Sequence, residues 1–379
     1  MSIYDIAAYG AMLADVERIG AYRRALAVSL GPDSVVLDLG AGTGIHALIA
    51  CQLGARRVFA VESVDVIQVA REIARDNGFA DRIEFLQDNA ARITLPERAD
   101  VIVSDLRGVL PLFGRHLPTI IDARDRLLAP GGTLIPRSDT LRAAPIEEHE
   151  LWDRVVGPWQ QHGLDMTAAR RLATQQLHRA RPAPGSLLAP PETWAVLDYR
   201  RAESADAGGM VRWAVERRGV AHGFAVWFDA TLGTGIELCN APGDPELIYG
   251  AAFLPLPEAV EVEPGASIDL RIDARLIGDD YIWTWEGAIG GADGVLHAFR
   301  QSTFHGAPIS PLSLRRGDLD HVPRLTVDGR IDLEALSLID GATPLRDIAQ
   351  RLYERHPDAF RDAAAARDRI ATLARRYGS

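Results

Sequence analysis

Gly40, Gly42 and Gly44 stand at alternate positions between the apolar run Ser34 to Leu39 and the helix-like run Ile45 to Leu53. Glycine has no Cβ, so a turn built this way bends sharply and lets a ligand approach its backbone. The spacing alone fits many nucleotide-binding enzymes. Neighbouring polar residues narrow it. Asp38 precedes the turn on the strand, where a carboxylate can hold an ammonium group. Glu62 ends the next strand, Val58 to Val61, where a carboxylate accepts hydrogen bonds from two ribose hydroxyls. Asp88 and Asn89 end a third strand, Ile83 to Leu86, where an adenine amino group would lie. Ammonium, ribose and adenine together describe S-adenosylmethionine (SAM). The turn also departs from the GxGxxG spacing expected when a pyrophosphate sits on a helix N-terminus.

These positions require an α/β scaffold. Helical patterns alternate with short apolar strands up to about residue 135, which implies a parallel sheet with helices on both faces. Residues 1–30 read as helical, 31–137 as a Rossmann-like domain, and LAPGGTLIP closes it with a Gly-Gly turn and a proline. From 138 to 307 the runs are strand-like and suggest a β-sandwich or barrel. A polar, partly helical insertion near 158–188 interrupts it. Four of the seven tryptophans, Trp213, Trp227, Trp283 and Trp285, fall in this region and read as its core. Residues 308–322 read as a linker, and 323–379 as a small helical or winged-helix module.

The bulk numbers exclude several classes. A net charge of −11 argues against a nucleic-acid backbone as partner. All 41 basic residues are Arg, so a Lys nucleophile or Schiff base is ruled out. Two cysteines, Cys51 and Cys239, suggest neither a disulfide framework nor a metal cluster. No stretch approaches the roughly 18 apolar residues of a membrane span. The opening MSIYDIAAYGAMLADVE does not read as a secretory signal. The expectation is a cytoplasmic enzyme.

Together these segments resemble the protein arginine methyltransferase family of class I SAM-dependent enzymes, over roughly residues 3–300. MLADVERIGAYRRAL is similar to that family's SAM-covering helix, with its hallmarks on Met12, Leu13, Asp15, Arg18, Tyr22 and Arg23. ADVIVSDLRG resembles its catalytic loop and ARDRLLAPGGTLIP the end of its nucleotide domain. GFAVWFDATLGTGIELCNAP resembles its barrel, and HGLDMTAARRLA the start of its dimerisation arm. The resemblance implies SAM as cofactor, Arg18 on the SAM carboxylate, and a homodimer. Met12, Ser63, Ala90 and Thr119 complete the expected cofactor contacts, and Tyr9, Arg107 and Tyr249 the expected substrate contacts.

The departures bear on the acceptor. That family grips a guanidinium with two glutamates on one loop. Here Asp105 stands for the first and Gly114 for the second, Arg107 replaces a methionine, and LIYG (247–250) replaces a Thr-His-Trp loop. An added cation within about 4 Å costs roughly 4 kcal/mol at an effective dielectric of about 20. The expected acceptor is therefore an amine of a peptide or amino-acid-like substrate. Asp105 would hold the amine and His116 would serve as base. Free or peptidyl arginine held by Asp105 alone is one alternative, and a non-catalytic SAM-binding scaffold another. Glu147, Glu148 and His149 form a polar cluster read as a solvated loop.

The stretch LEALSLIDGATPLRDIAQRL resembles PqqD-like modules, which bind leader peptides in peptide natural-product pathways. That resemblance implies a core of Leu336, Leu338, Ile339, Leu345, Ile348 and Leu352, with Thr343 capping the next helix. It also implies a leader peptide as partner and natural-product biosynthesis as setting.

Overall fold

The computed structural model describes residues 5–291 and 294–378. The first four residues of the expected amino-terminal segment, Ala292 and Asp293 of the expected barrel, and Ser379 lie outside them. The chain divides into two compact units, Met1–Pro308 and Ile309–Ser379. Among the described residues no helix is long and apolar enough to cross a membrane.

The larger unit opens with helices α1 (Ile6–Ala14) and α2 (Val16–Ser29). Asp15 caps α2 by accepting the Arg18 N–H at 3.0 Å. Helical periodicity then puts Arg18, Tyr22 and Leu26 on one buried face. The α/β layer follows: β1 (Val35–Leu39), α3 (Ile45–Gln52), β2 (Arg57–Val61), α4 (Ile67–Asp76), β3 (Ile83–Leu86), β4 (Ala99–Ser104), α5 (His116–Leu127) and β5 (Leu128–Ile135). The sheet is parallel with order β3-β2-β1-β4-β5. All five residues of β1 are buried, as a central parallel strand covered on both faces requires. Strand order reverses between β1 and β4, so the glycine turn after β1 opens at the switch point where such sheets take ligands.

The chain then enters a barrel-like layer through β6 (Ser138–Ile146). The insertion contains α6 (His149–Val156), α7 (Thr167–Ala173) and β7 (His178–Ala180). The remaining strands are β8 (Glu192–Asp198), β9 (Ala207–Ala214), β10 (Gly219–Gly233), β11 (Ile236–Cys239), β12 (Ala251–Val262), β13 (Ser267–Ile277), β14 (Asp280–Gly291) and β15 (Gly294–Ser302). One sheet runs β7-β12-β10-β6-β8 with β11 on β10, and the other β15-β14-β13-β9. Trp213, Trp227, Trp283 and Trp285 are all buried in it. The Glu147–His149 segment is pinned rather than loose. Glu147 pairs with Arg217, Glu148 accepts the Ala183 N–H at 2.6 Å, and His149 packs on His222.

The smaller unit is helical: α8 (Pro311–Arg316), α9 (Val327–Ser337), α10 (Leu345–Arg355) and α11 (Ala363–Tyr377). The winged-helix alternative finds no strand among its described residues. Helix α8 falls in the stretch expected to be a linker, because Ser310 caps it at 3.0 Å and Pro311 starts it. The core differs from expectation too. Ile331, Ala335, Ile348, Ala349, Leu352, Phe360, Ala366 and Ile370 are buried, while Leu345 is exposed. Thr343 does not cap α10. Its N–H and hydroxyl both donate to Asp340, and Pro344 occupies the cap position.

Candidate functional site

The glycine turn needs its glycines. Gly40, Gly42 and Gly44 have φ of 73°, 53° and 84°, a region that L side chains rarely adopt. A Cβ on Gly40 would lie 2.1 Å from Leu106 Cδ2, and one on Gly42 2.9 Å from the Tyr9 ring. Glu62 braces the turn, accepting the Gly42 N–H and the Val64 N–H, each at 3.1 Å. Ser63 lies beside it, its hydroxyl 3.5 Å from Glu62 Oε1. Asp38 is fully buried on β1, and its Oδ2 accepts the Ala47 N–H at 3.0 Å. Burial pushes its carboxyl up to about 7. The Glu62 N–H donates to Leu86 O at 3.1 Å, which sets the ends of β2 and β3 side by side. Asp88 and Asn89 just beyond are exposed and fold onto their own turn, with Asn89 N–H to Asp88 at 2.6 Å. The Ala90 carbonyl accepts from Arg126 at 3.0 Å. Thr119 is half-buried on the first turn of α5.

Two buried polar atoms test whether SAM fits. Among the described residues, Arg18 Nε and Asp38 Oδ1 have no hydrogen-bond partner, with Asp15 Oδ2 and His46 Nδ1 beyond that range at 3.8 and 3.9 Å. A buried donor on a guanidinium and a buried acceptor on a carboxylate suit a zwitterionic amino-acid end. The residues present therefore fit the group.

The acceptor side gathers around Asp105. Its Oδ2 accepts from Arg18 Nη1 and its Oδ1 from the Tyr249 hydroxyl at 2.6 Å. The Met12 carbonyl takes Arg18 Nη2 at 2.6 Å. Asp15 accepts the Ile248 N–H at 2.7 Å, tying the 247–250 loop to the start of α2. Burial works against the Asp105 charge, but Arg18 and then Arg107 draw its carboxyl down to about 2. Asp105 is therefore a fixed anion at neutral pH.

Arg107 is turned away from solvent. It is buried and grips Asp139 with two hydrogen bonds, Nε to Oδ2 at 3.2 Å and Nη2 to Oδ1 at 2.6 Å. It also donates to the Tyr22 hydroxyl at 2.9 Å and lies 5.0 Å over the Phe228 ring. The expected repulsion of a cationic acceptor is thereby reduced, because Asp139 pairs with the charge that sequence alone assigns to the pocket. Asp139 was missed because nothing in its neighbourhood marks it. A buried Arg needing an anion is the one signal that could have prompted a search.

His116 is not placed as a base. It is buried at the start of α5, with Nε2 3.1 Å from the Tyr199 hydroxyl. Tyr199 donates its own proton to Asp139, so His116 must present N–H there. Burial, and then Arg107, push its pKa down to about 3, so it stays neutral and is a weak base near neutrality. Gly114 sits at φ 47° with only Asp279 O near a Cβ position, at 3.9 Å.

Residues 30–170, which carry the glycine turn, match the methyltransferase domain family. With the geometry above, the chain is a class I SAM-dependent methyltransferase. It is 30% identical over 282 residues to protein arginine N-methyltransferase 6 of Xenopus tropicalis, covering 70% of this chain and 82% of that one. The chain belongs to the protein arginine N-methyltransferase family. A Trypanosoma brucei PRMT1 enzyme-prozyme heterotetrameric complex with AdoHcy superposes with TM-score 0.72 at 25% identity, over 78% of this chain and 96% of that one. Arabidopsis thaliana protein arginine methyltransferase 10 shares the fold, with TM-score 0.69 at 24% identity over 79% and 97%.

Proposed function

We propose that this chain moves the methyl group of SAM to a guanidinium nitrogen of arginine, in a peptide or protein. The observation that supports this most is the Asp105 carboxylate. It is ionised and immobilised by Tyr249 and Arg18, and the Arg107 charge 3.8 Å away is shared with Asp139. That combination favours a cationic acceptor over the neutral amine expected from sequence, and it agrees with the relatives' names. A homodimer through the 158–188 segment belongs to the same reading.

When bound, SAM supplies an electrophilic methyl group. Arg18 and Asp38 would hold its amino-acid end, Glu62 its ribose, and Asp88 and Asn89 its adenine. Asp105 receives the guanidinium and keeps one nitrogen aligned, which is most of what an in-line transfer needs. The released proton goes to water, since Asp105 and His116, at about 2 and about 3, are both too weak as bases to keep it at pH 7.

Two peptides test the reading, one rich in Arg with a blocked N-terminus, the other Arg-free with a free amine. Mass spectrometry after incubation with SAM is expected to find methyl groups on the Arg peptide. Asp105→Asn should lower that kcat/KM about 10- to 100-fold, the scale of about 1.5–3 kcal/mol for a hydrogen bond to a charged group. Methyl groups on the amine peptide alone would replace arginine with the amine acceptor.

A further inference from the structure

Behind Asp105 lies a second buried ion pair that the reaction as written does not use. Arg107 and Asp139 have side chains with 0% exposure, and Arg107 Nη1 is 3.8 Å from Asp105 Oδ1. Burial opposes the Arg107 charge, yet Asp139 beside it holds the guanidinium well above its ordinary pKa. The pair is anchored at both ends. The Tyr199 hydroxyl donates to Asp139, and the Tyr22 hydroxyl, which accepts from Arg107, donates to Ser104 O at 3.2 Å. Ser104 is the residue immediately before Asp105. The network therefore touches the backbone just ahead of Asp105 and faces its carboxylate.

The loop after Asp105 needs such support. Gly108 and Gly114 lie in it, the latter with positive φ, so the chain there has little stiffness of its own. A buried pair of this kind is a poor source of net stability, because desolvation cancels most of the attraction. Its value lies in fixing a geometry.

We propose that Asp139 is a positioning residue for acceptor binding. Through Arg107 and Tyr22 it fixes the Asp105 carboxylate where the acceptor cation is received. Arg107 is the intermediary and touches no substrate. The assignment rests on the reading of Asp105 as the acceptor-holding group. It predicts that losing the pair harms acceptor binding far more than SAM binding, because Asp38 and Glu62 lie outside it and Arg18 meets it only through Asp105.

The test is the double variant Arg107→Met/Asp139→Ala in the full chain. Replacing both partners by apolar groups generally keeps a protein folded, whereas removing one strands a buried charge. Thermal unfolding checks that the variant folds, and calorimetry follows SAM affinity. The expected result is SAM affinity within about threefold of wild type and a KM for the peptide raised about tenfold or more, with a smaller fall in kcat. Asp139→Glu, which keeps the charge, should recover part of the loss. Should the double variant not fold, Tyr199→Phe removes only the hydroxyl donated to Asp139 and should raise the peptide KM in the same direction. A folded variant with wild-type KM and kcat overturns the proposal and leaves the pair as core packing. The ratio is read on whichever of the two peptides the wild type methylates. A wrong acceptor then shows in which peptide carries the label, and a wrong positioning role shows in the ratio.

Discussion

On the donor side, Asp38, the three glycines, Glu62 and Asp88 come from strand ends that follow one another in the sequence. On the acceptor side, Asp105 is held by Arg18 from α2, Tyr249 from the loop before β12, and Arg107, which itself depends on Asp139 of β6 and Tyr199 beyond β8. A parallel sheet brings consecutive strand ends to one edge by topology alone. Nothing comparable brings residues 18, 105, 139, 199 and 249 together except tertiary packing. The donor side is therefore local and the acceptor side non-local, and their variants should separate by readout.

The largest expected effect would show where the two sides touch. Leu106, between Asp105 and Arg107, packs into the space left by the missing Gly40 side chain. Gly40→Val adds a β-branched side chain at φ 73°, a strain of about 1–3 kcal/mol before the clash with Leu106 is counted. Calorimetry is expected to show SAM binding weakened on the order of a hundredfold, with peptide KM rising as well. A change in SAM binding with unchanged peptide KM would mean that the two sides are independent even at this contact.

Glu62→Ala should give a cleaner separation. Its carboxylate holds the glycine turn through two backbone N–H groups, and under the proposed function it would also hold the ribose. The loss expected in SAM affinity is about 1–3 kcal/mol, the scale of charge-assisted hydrogen bonds. Peptide KM measured at saturating SAM should stay near wild type. An unchanged SAM affinity would remove Glu62 from the donor side.

The same contrast explains what was legible beforehand. The α/β order, the glycine turn and the barrel tryptophans follow from periodicity and from residues that only one backbone geometry tolerates. Arg107 was visible as an added cation, but its charge balance was not, because Asp139 sits 32 residues away with no motif around it. His116 looked like a base because its type titrates near neutrality. Burial beside Tyr199 and Arg107 removes that property, and burial of a single histidine is a tertiary fact. In the helical unit, the core implied by the PqqD-like resemblance includes Ile348 and Leu352 but not Ile331, Phe360 or Ile370, whose faces are chosen by the packing of α9 and α11 on α10.

Asp38 offers the smallest effect and the sharpest test of the donor side. Burial raises its carboxyl from the usual carboxylate range to about 7 in the folded protein. In the free protein its contribution to stability is therefore greatest below the unfolded-state pKa and is lost as pH rises through about 7, the reverse of a salt-bridged Asp. An ammonium bound against Asp38 selects the ionised form, so SAM affinity should rise with pH. Between pH of about 6 and about 7.5 the ionised fraction grows about eightfold, and SAM affinity should follow it. The window stops there because α-amino groups begin to lose their own proton near pH of about 8. Burial, its largest influence, holds His46 at about 4, and Asp105 lies at about 2, so neither changes charge in that range. Asp38→Asn should flatten the profile. A wild-type affinity independent of pH would mean that no cation meets this carboxylate, and that Asp38 serves the turn only through its bond to the Ala47 N–H.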